Sequence, residues 1–197
     1  MRELVCLLEE ESARAMLESL LPRVLDPSIR CRLIAFEGKQ DLERQLTRKV
    51  RGYQNRSARF LVMRDQDSAP DCRQVKGNLL KLCNAAGRDA CCKVRIACRE
   101  LETIYLADLA AVEAVSGIRG LAGHQSKRKY RDPDALGNSK QELKKLTDGA
   151  YQEVSSSREL GKVLQLDNAR SSSFLQLLAA IRSLESELLA LPEESTN

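Results

Sequence analysis

Acidic residues in this chain gather where apolar runs stop, an arrangement in which carboxylates can hold a divalent cation. The segment "RFLVMRDQDSAPD", residues 59 to 71, shows it most sharply: Phe60, Leu61, Val62 and Met63 end at Asp65 and Asp67, two positions apart. Such neighbouring negative charges repel unless a metal, a basic partner or bulk water lies between them. Glu9, Glu10 and Glu11 follow the apolar "ELVCLL", and Glu100 and Glu102 follow "CCKVRIAC". A lone D-x-D is commonly a solvated turn, and glutamates at a helix start are favoured by the dipole alone. Recurrence after three separate runs points instead to a shared site. Mg²⁺ takes oxygen ligands, typically one or two carboxylates with water and substrate phosphate. Two such ions clamp the attacking and leaving oxygens of a phosphodiester displacement.

The elements that must position these acids are legible from hydropathy. Residues 3 to 8 read as a buried strand, and Ser12 to Leu25 as a helix carrying Met16, Leu17, Leu20 and Leu21 and ending before Pro27. "IRCRLIAF", residues 29 to 36, alternates apolar and basic residues as a strand does, and a charged helix runs from Leu42 to about Tyr53. "RFLVM" is the third strand, "CRQVKGNLLKLCNAAG" a helix with Gly87 at its C-cap, "CCKVRIAC" the fourth strand, and "RELETIYLADLAAVEAV" a helix. Strand-then-helix repeats predict an α/β fold with a parallel sheet covered by helices. Ligands of such sheets bind outside the carboxyl ends of the strands, so the acids share one edge, with Gly38 and Lys39 beside them. Lys39 can neutralise a phosphate or transition-state charge there, or simply start a helix on a solvated turn.

After Gly117 the character changes. "GIRGLAGHQSKRKYRDPDALGNSK" is glycine-rich and basic and reads as an exposed loop, with Lys127, Arg128, Lys129 and Arg131 nearly consecutive. These charges suit a phosphate backbone, with salt-dependent affinity, or serve as a solvated loop. Two helical patches follow, the last, "SFLQLLAAIRSLESELLAL", amphipathic, with Phe174, Leu178, Ile181 and Leu184 or Leu188 on one stripe. "PEESTN" reads as a tail. The expected division is an α/β domain over residues 1–116 and a basic loop with a helical region packing on it over residues 117–197.

Composition narrows the classes. With 43% hydrophobic and 30% charged residues, the chain has a globular balance rather than a disordered one. No apolar stretch approaches the ~18 residues of a membrane span, and the N-terminal run is too short for a secretory signal, so a cytoplasmic location is expected. The seven cysteines are odd in number and form no C-x-x-C pair, which reads as reduced thiols rather than a zinc or redox motif. His124 is the sole histidine, excluding multi-histidine metal sites. No G-x-x-x-x-G-K-[ST] motif occurs, so ATP hydrolysis by that route must come from elsewhere.

Strand, glutamate, helix and later strand, D-x-D resembles a Toprim domain, the metal-binding module of topoisomerases, bacterial primases and OLD-family nucleases. More narrowly, "LLEEESARAML", "FEGKQDL", "RFLVMRDQD", "RIACRELETIYLAD", "DPDALGNSKQEL" and "YQEVSSSRELGKVLQLDNARSSSF" resemble a bacterial Toprim-like family of unknown function, of the 4276 type. Members of that family are often encoded beside an AAA or ABC-type ATPase, sometimes in anti-phage loci. The resemblance implies a Toprim-like parallel sheet with a mostly helical C-terminal extension. It implies a nuclease, a hydrolase of phosphodiester bonds in nucleic acid, using Mg²⁺ or Mn²⁺ and acting with a partner ATPase in anti-phage defence. Glu9 matches the Toprim glutamate, as acid/base or ligand, and Asp65 and Asp67 match the metal-binding D-x-D. Glu100 and Glu102 match further acids of the narrower family, and Lys140 in "GNSK" matches a late lysine of OLD-type nucleases, here assigned to nucleic-acid binding. Toprim domains usually carry glycine directly after the glutamate, where this chain has Glu10. The alternatives are a non-catalytic regulatory subunit of the same ATPase, or a small-molecule phosphotransfer enzyme. A homodimer is the assembly considered, and no membrane partner is expected.

Overall fold

A computed structural model, describing residues 1–192, contains a four-stranded sheet: β1 (Glu3–Leu8), β2 (Arg30–Ala35), β3 (Arg59–Asp65) and β4 (Cys92–Ala97). All pairings are parallel, and the order is β2-β1-β3-β4. β1 and most of β3 are buried, so they read as continuous apolar runs; β2 lies at the edge and alternates in exposure. The third strand runs two residues further than hydropathy indicates, because Asp65 still pairs with Ala97 of β4. Asp65 therefore sits on the ladder and not in the loop after it.

Side chains alternate between two cores, one on each sheet face. Leu4, Cys6, Leu8, Leu61 and Met63 face α1 (Glu11–Leu20), while Val5, Leu7, Phe60, Val62 and Val94 face α2 (Lys39–Arg51) and α3 (Cys72–Ala85). α1 stops earlier than expected: Pro22 lacks an N–H, and a 3₁₀ turn at Leu21–Arg23 replaces the last helical turn. The helix expected across residues 99–115 is split into α4 (Glu102–Leu106) and α5 (Leu109–Ser116). Asp108 divides them, its carboxylate accepting from Ala111 N at 3.1 Å as the cap of α5.

Among the described residues three α-helices, not two, follow Gly117: α6 (Ser139–Leu146), α7 (Glu153–Val163) and α8 (Ser172–Leu189). Asp148 (φ 47°) and Gly149 (φ 79°) turn the chain between α6 and α7, a left-handed conformation that no helix continues through. The stripe Phe174, Leu178, Ile181, Leu184 and Leu188 is buried in the α1-side core, each residue worth roughly 1.5–3 kcal/mol. α7 lies against α1 at Gly161, where a Cβ would stand 2.3 Å from Met16 O, so only glycine permits the approach. The basic segment holds three short 3₁₀ turns and is pinned by buried Tyr130, whose hydroxyl donates to Glu142 at 2.5 Å. The seven cysteines are all unbridged. Among the described residues no helix is long and apolar enough to cross a membrane. The expected tail, beyond Pro192, lies outside the described residues.

Candidate functional site

The carboxyl ends of β1, β3 and β4 are tied together through acids. Glu9 continues the ladder past β1, its N–H donating to Met63 O at 3.1 Å and its carbonyl accepting from Gly38 N at 3.0 Å. With its backbone fixed on both sides, its carboxylate reaches Asp65, accepting from that residue's N–H at 2.9 Å. Asp65 Oδ2 in turn accepts from Leu101 N at 3.1 Å, just before α4. Glu9, Asp65 and the start of α4 thus form one hydrogen-bonded chain across three strand ends.

Asp67 faces differently. It adopts φ 55°, and its N–H donates to Arg99 O at 2.7 Å, holding the turn against the end of β4. Its carboxylate meets Lys39 Nζ at 3.0 Å and Arg64 at 3.5 Å. Arg64, whose side chain is only 6% exposed, also pairs with Glu43 at 2.6 Å and approaches Glu9 at 3.8 Å. Lys39 is the first residue of α2, after Gly38, whose φ of 86° is open to glycine at little cost.

Glu102 is fully buried. One carboxylate oxygen accepts from Tyr151 OH at 2.9 Å and stands 4.0 Å from Lys140 Nζ; the other oxygen has no partner. Glu100 accepts from Lys140 N at 2.8 Å, fastening the first turn of α6 to the end of β4. Lys140 Nζ also pairs with Glu153 at 3.1 Å. Lys140 therefore sits among carboxylates rather than on an open cationic surface. Glu10 takes a hydrogen bond from Ser12 Oγ, and its charge acts on Asp65, Glu102 and Lys140.

The electrostatics divide accordingly. Burial raises Asp65 well above the usual carboxylate range, and the charges of Glu10, Glu9 and Glu102 push further, against the Leu101 N–H. Glu9 is raised by burial as well, opposed by the Asp65 N–H, with Asp67 pushing up. Burial lifts Glu102 to about 7 despite Lys140. Burial opposes the charge on Lys140, but Glu102, Glu153 and Glu10 outweigh it and raise its pKa. Three acids shifted upward together mark a place short of positive charge.

The basic segment lies apart from these acids in its contacts. Lys129 pairs with Glu142, Arg131 donates to Ser126 O at 3.3 Å, and Lys127 and Arg128 are exposed. Sequence reasoning passed over Arg64, Tyr151 and Glu153 as site neighbours. Arg64 was hidden as one charge in an apolar strand, whereas Tyr151 and Glu153 reach the site only through the fold of α6 and α7.

Divalent cations such as Mg²⁺ take hard oxygen donors. Glu9, Asp65, Glu10 and Glu102 offer hard oxygen donors, Glu102 has a buried oxygen without a partner, and the pKa shifts show unbalanced negative charge. That chemistry suits Mg²⁺ or Mn²⁺. Among the described residues, no three His, Cys, Asp or Glu side chains are gathered closely enough to hold one ion as they stand. The donors fit such an ion in kind but do not stand around a common point.

A four-stranded parallel sheet flanked by helices on both faces, with acids at the ends of β1, β3 and β4, defines an α/β protein with an acidic carboxyl edge. The chain belongs to the family described as "Domain of unknown function (DUF4276)", whose profile matches residues 8–182. Its fold is similar to the solved C-terminal region of the Burkholderia pseudomallei OLD protein. The likeness has a TM-score of 0.53 at 16% identity and covers 91% of this chain and 97% of that one. At that identity the likeness shows the fold. Comparison with curated proteins gave no match.

Proposed function

We propose that the protein is a metal-dependent nuclease that hydrolyses phosphodiester bonds with Mg²⁺ or Mn²⁺, alongside a separate AAA or ABC-type ATPase in anti-phage defence. The observation that carries this reading is the inner acid group, Glu9, Asp65 and Glu102, with all three carboxyls raised in pKa at the carboxyl edge of a parallel sheet. These residues, with Glu100 and Asp67 at the margin, would hold the metal, which supplies charge stabilisation and an acidified water when bound. Glu9, fixed by its backbone on two sides, is suited to hold or move a proton at its carboxylate. Lys39 would meet a phosphate oxygen once released from Asp67. Residues 1–116 carry most of this machinery, and residues 117–197 add Lys140 to it.

The test is cleavage of plasmid DNA and of RNA by purified protein with Mn²⁺, with and without the ATPase, against chelator and Asp65→Asn controls. Metal-dependent cleavage abolished by Asp65→Asn supports the reading. Absence of cleavage under every metal and partner condition overturns it. One observation favours a second reading, a non-catalytic subunit of the ATPase: among the described residues no three acids already stand around a common point. A scaffold of that kind shows no metal-dependent change in stability.

A further inference from the structure

The edge of the sheet carries a second feature, opposite in charge to the first. On β2, Arg30, Arg32 and Ile34 point to the α2 side, and because β2 is the outermost strand, α2 does not cover its whole face. A groove of about 790 Å³ remains between this strand and the C-terminal half of α2. Arg30, Arg32, Arg48 and Lys49 all line it and are exposed. None of the four pairs with a carboxylate among the described residues. Arg32 lies over the Tyr53 ring at 5.9 Å, Arg48 donates to the amide oxygen of Gln45 at 3.0 Å, and Arg30 reaches Met1 Sδ at 3.8 Å. The one acid lining the groove, Glu3, is 6% exposed, accepts from Asn55 at 3.1 Å and acts on Tyr53, with an ion pair to none of the four cations.

Cations on an edge strand block sheet-to-sheet pairing, and cations in the last turn of a helix favour its dipole. Each explanation covers one element. Neither requires strand and helix to direct four uncompensated cations into one concave surface.

We propose that this groove binds the phosphate backbone of nucleic acid and is the main electrostatic contact of the protein with its substrate. The inference rests on the nuclease reading for the identity of the polyanion. Geometry links the groove to the acids through α2, which begins at Lys39 beside Asp67 and carries Lys49 near its other end. Ten residues of helix span about 15 Å, the rise of roughly four to five base pairs. One short stretch of nucleic acid can therefore lie in the groove and reach the strand ends together. The segment at residues 127–131 is weaker in this role, since Lys129 is already paired with Glu142 and Arg131 with a backbone carbonyl. A second copy meeting this face by its own β2 would bring Arg30 and Arg32 against their equivalents, which like-charge repulsion disfavours.

The experiment measures binding of a labelled 20-base-pair DNA duplex, in chelator and across a salt series. It compares the wild type, Arg30→Gln/Arg32→Gln/Arg48→Gln/Lys49→Gln, Arg30→Gln/Lys49→Gln, and Lys127→Gln/Arg128→Gln. The double groove variant keeps the Arg32–Tyr53 contact and guards against loss of folding, which thermal melting checks. Each phosphate contact removed lowers the log–log salt slope by about 0.9, so the quadruple variant should lose 3 to 4 units and the double variant about 2. The loop variant should lose less than either. Groove variants that keep wild-type affinity and slope overturn the proposal, even when the wild type cleaves with Mn²⁺. A wild type that does not bind the duplex overturns it too, as does a groove variant whose main change is in sedimentation mass. A wild type that binds through the groove and never cleaves supports the groove and overturns the nuclease reading alone.

Discussion

Asp65 and Asp67 are two positions apart in sequence and lie in opposite surroundings. Asp65 ends a strand, accepts one backbone N–H, and has Glu9, Glu10 and Glu102 for charged neighbours, so its carboxyl is raised. Asp67 stands in a left-handed turn and meets Lys39 and Arg64. The first aspartate is short of positive charge; the second already has it. Spacing alone makes a D-x-D look like a matched pair, but the strand's last ladder bond fixes one member inside, and the turn swings the other onto α2. The inner group of Glu9, Asp65 and Glu102 is crowded with negative charge, and the outer Asp67 is paired with Lys39.

The strongest way to break this contrast is to remove one charge from each environment. Asp65→Asn and Glu9→Gln should each lower metal-dependent cleavage by roughly 10²–10⁴. Asp67→Asn should cost about tenfold or less, and Glu11→Gln, exposed and paired with Arg14, only a few-fold. Initial rates on plasmid DNA decide it. Equal losses at both aspartates would merge the inner and outer groups into one site.

A pH series sharpens the inner half. Glu102 titrates near 7 in the folded chain against an ordinary 4.5. Between these values the folded chain holds a proton that the unfolded chain has released, so stability falls as pH rises through that window and levels off above 7. The shift corresponds to roughly 3 kcal/mol at about 1.4 kcal/mol per unit. Denaturant unfolding in chelator should show a decline between pH 5 and 7.5 that is steeper in the wild type than in Glu102→Gln. Parallel profiles would mean that Tyr151 and Lys140 already satisfy this carboxylate.

Mn²⁺ should act on the same residues with opposite sign. An ion that binds only the folded chain adds about 2.7 kcal/mol at a hundredfold excess over its Kd. Thermal melting should show that gain in the wild type and Asp67→Asn, and little of it in Asp65→Asn. A gain that persists in Asp65→Asn places the ion elsewhere.

Much of this was readable in the sequence because strands and acids are local signals. The apolar runs predicted all four strands, and Glu9, Asp65, Asp67, Glu100 and Glu102 do fall at their carboxyl ends. What escaped was set by distance along the chain. Tyr151 touches Glu102, and Glu153 pairs with Lys140, through the packing of α6 and α7 rather than through any neighbour in sequence. The environments of the two aspartates escaped for a subtler reason. Hydropathy ended the third strand at Met63, whereas the backbone ladder with β4 carries it to Asp65. The basic groove was hidden because alternating arginines in β2 signal a strand as strongly as they signal a ligand.

The smallest expected effect tests whether Asp67 is only a latch. Its ion pair with Lys39 spans 3.0 Å, but the two side chains are 47% and 34% exposed, so water screens it. Exposed pairs of this kind contribute about 0–1 kcal/mol. Lys39→Ala should therefore change unfolding free energy by less than about 1 kcal/mol. Lys39→Arg keeps the charge and should stay closer still. Arg64 remains beside Asp67 at 3.5 Å, so the carboxylate keeps a cation after Lys39 is gone. Activity should respond more than stability does, since a lysine that leaves Asp67 for a phosphate oxygen acts only with substrate present. A fall in kcat/KM with unchanged melting supports that exchange. If Lys39→Ala instead costs several kcal/mol of stability, the pair is structural, Asp67 belongs with the buried group, and the contrast between the two aspartates fails.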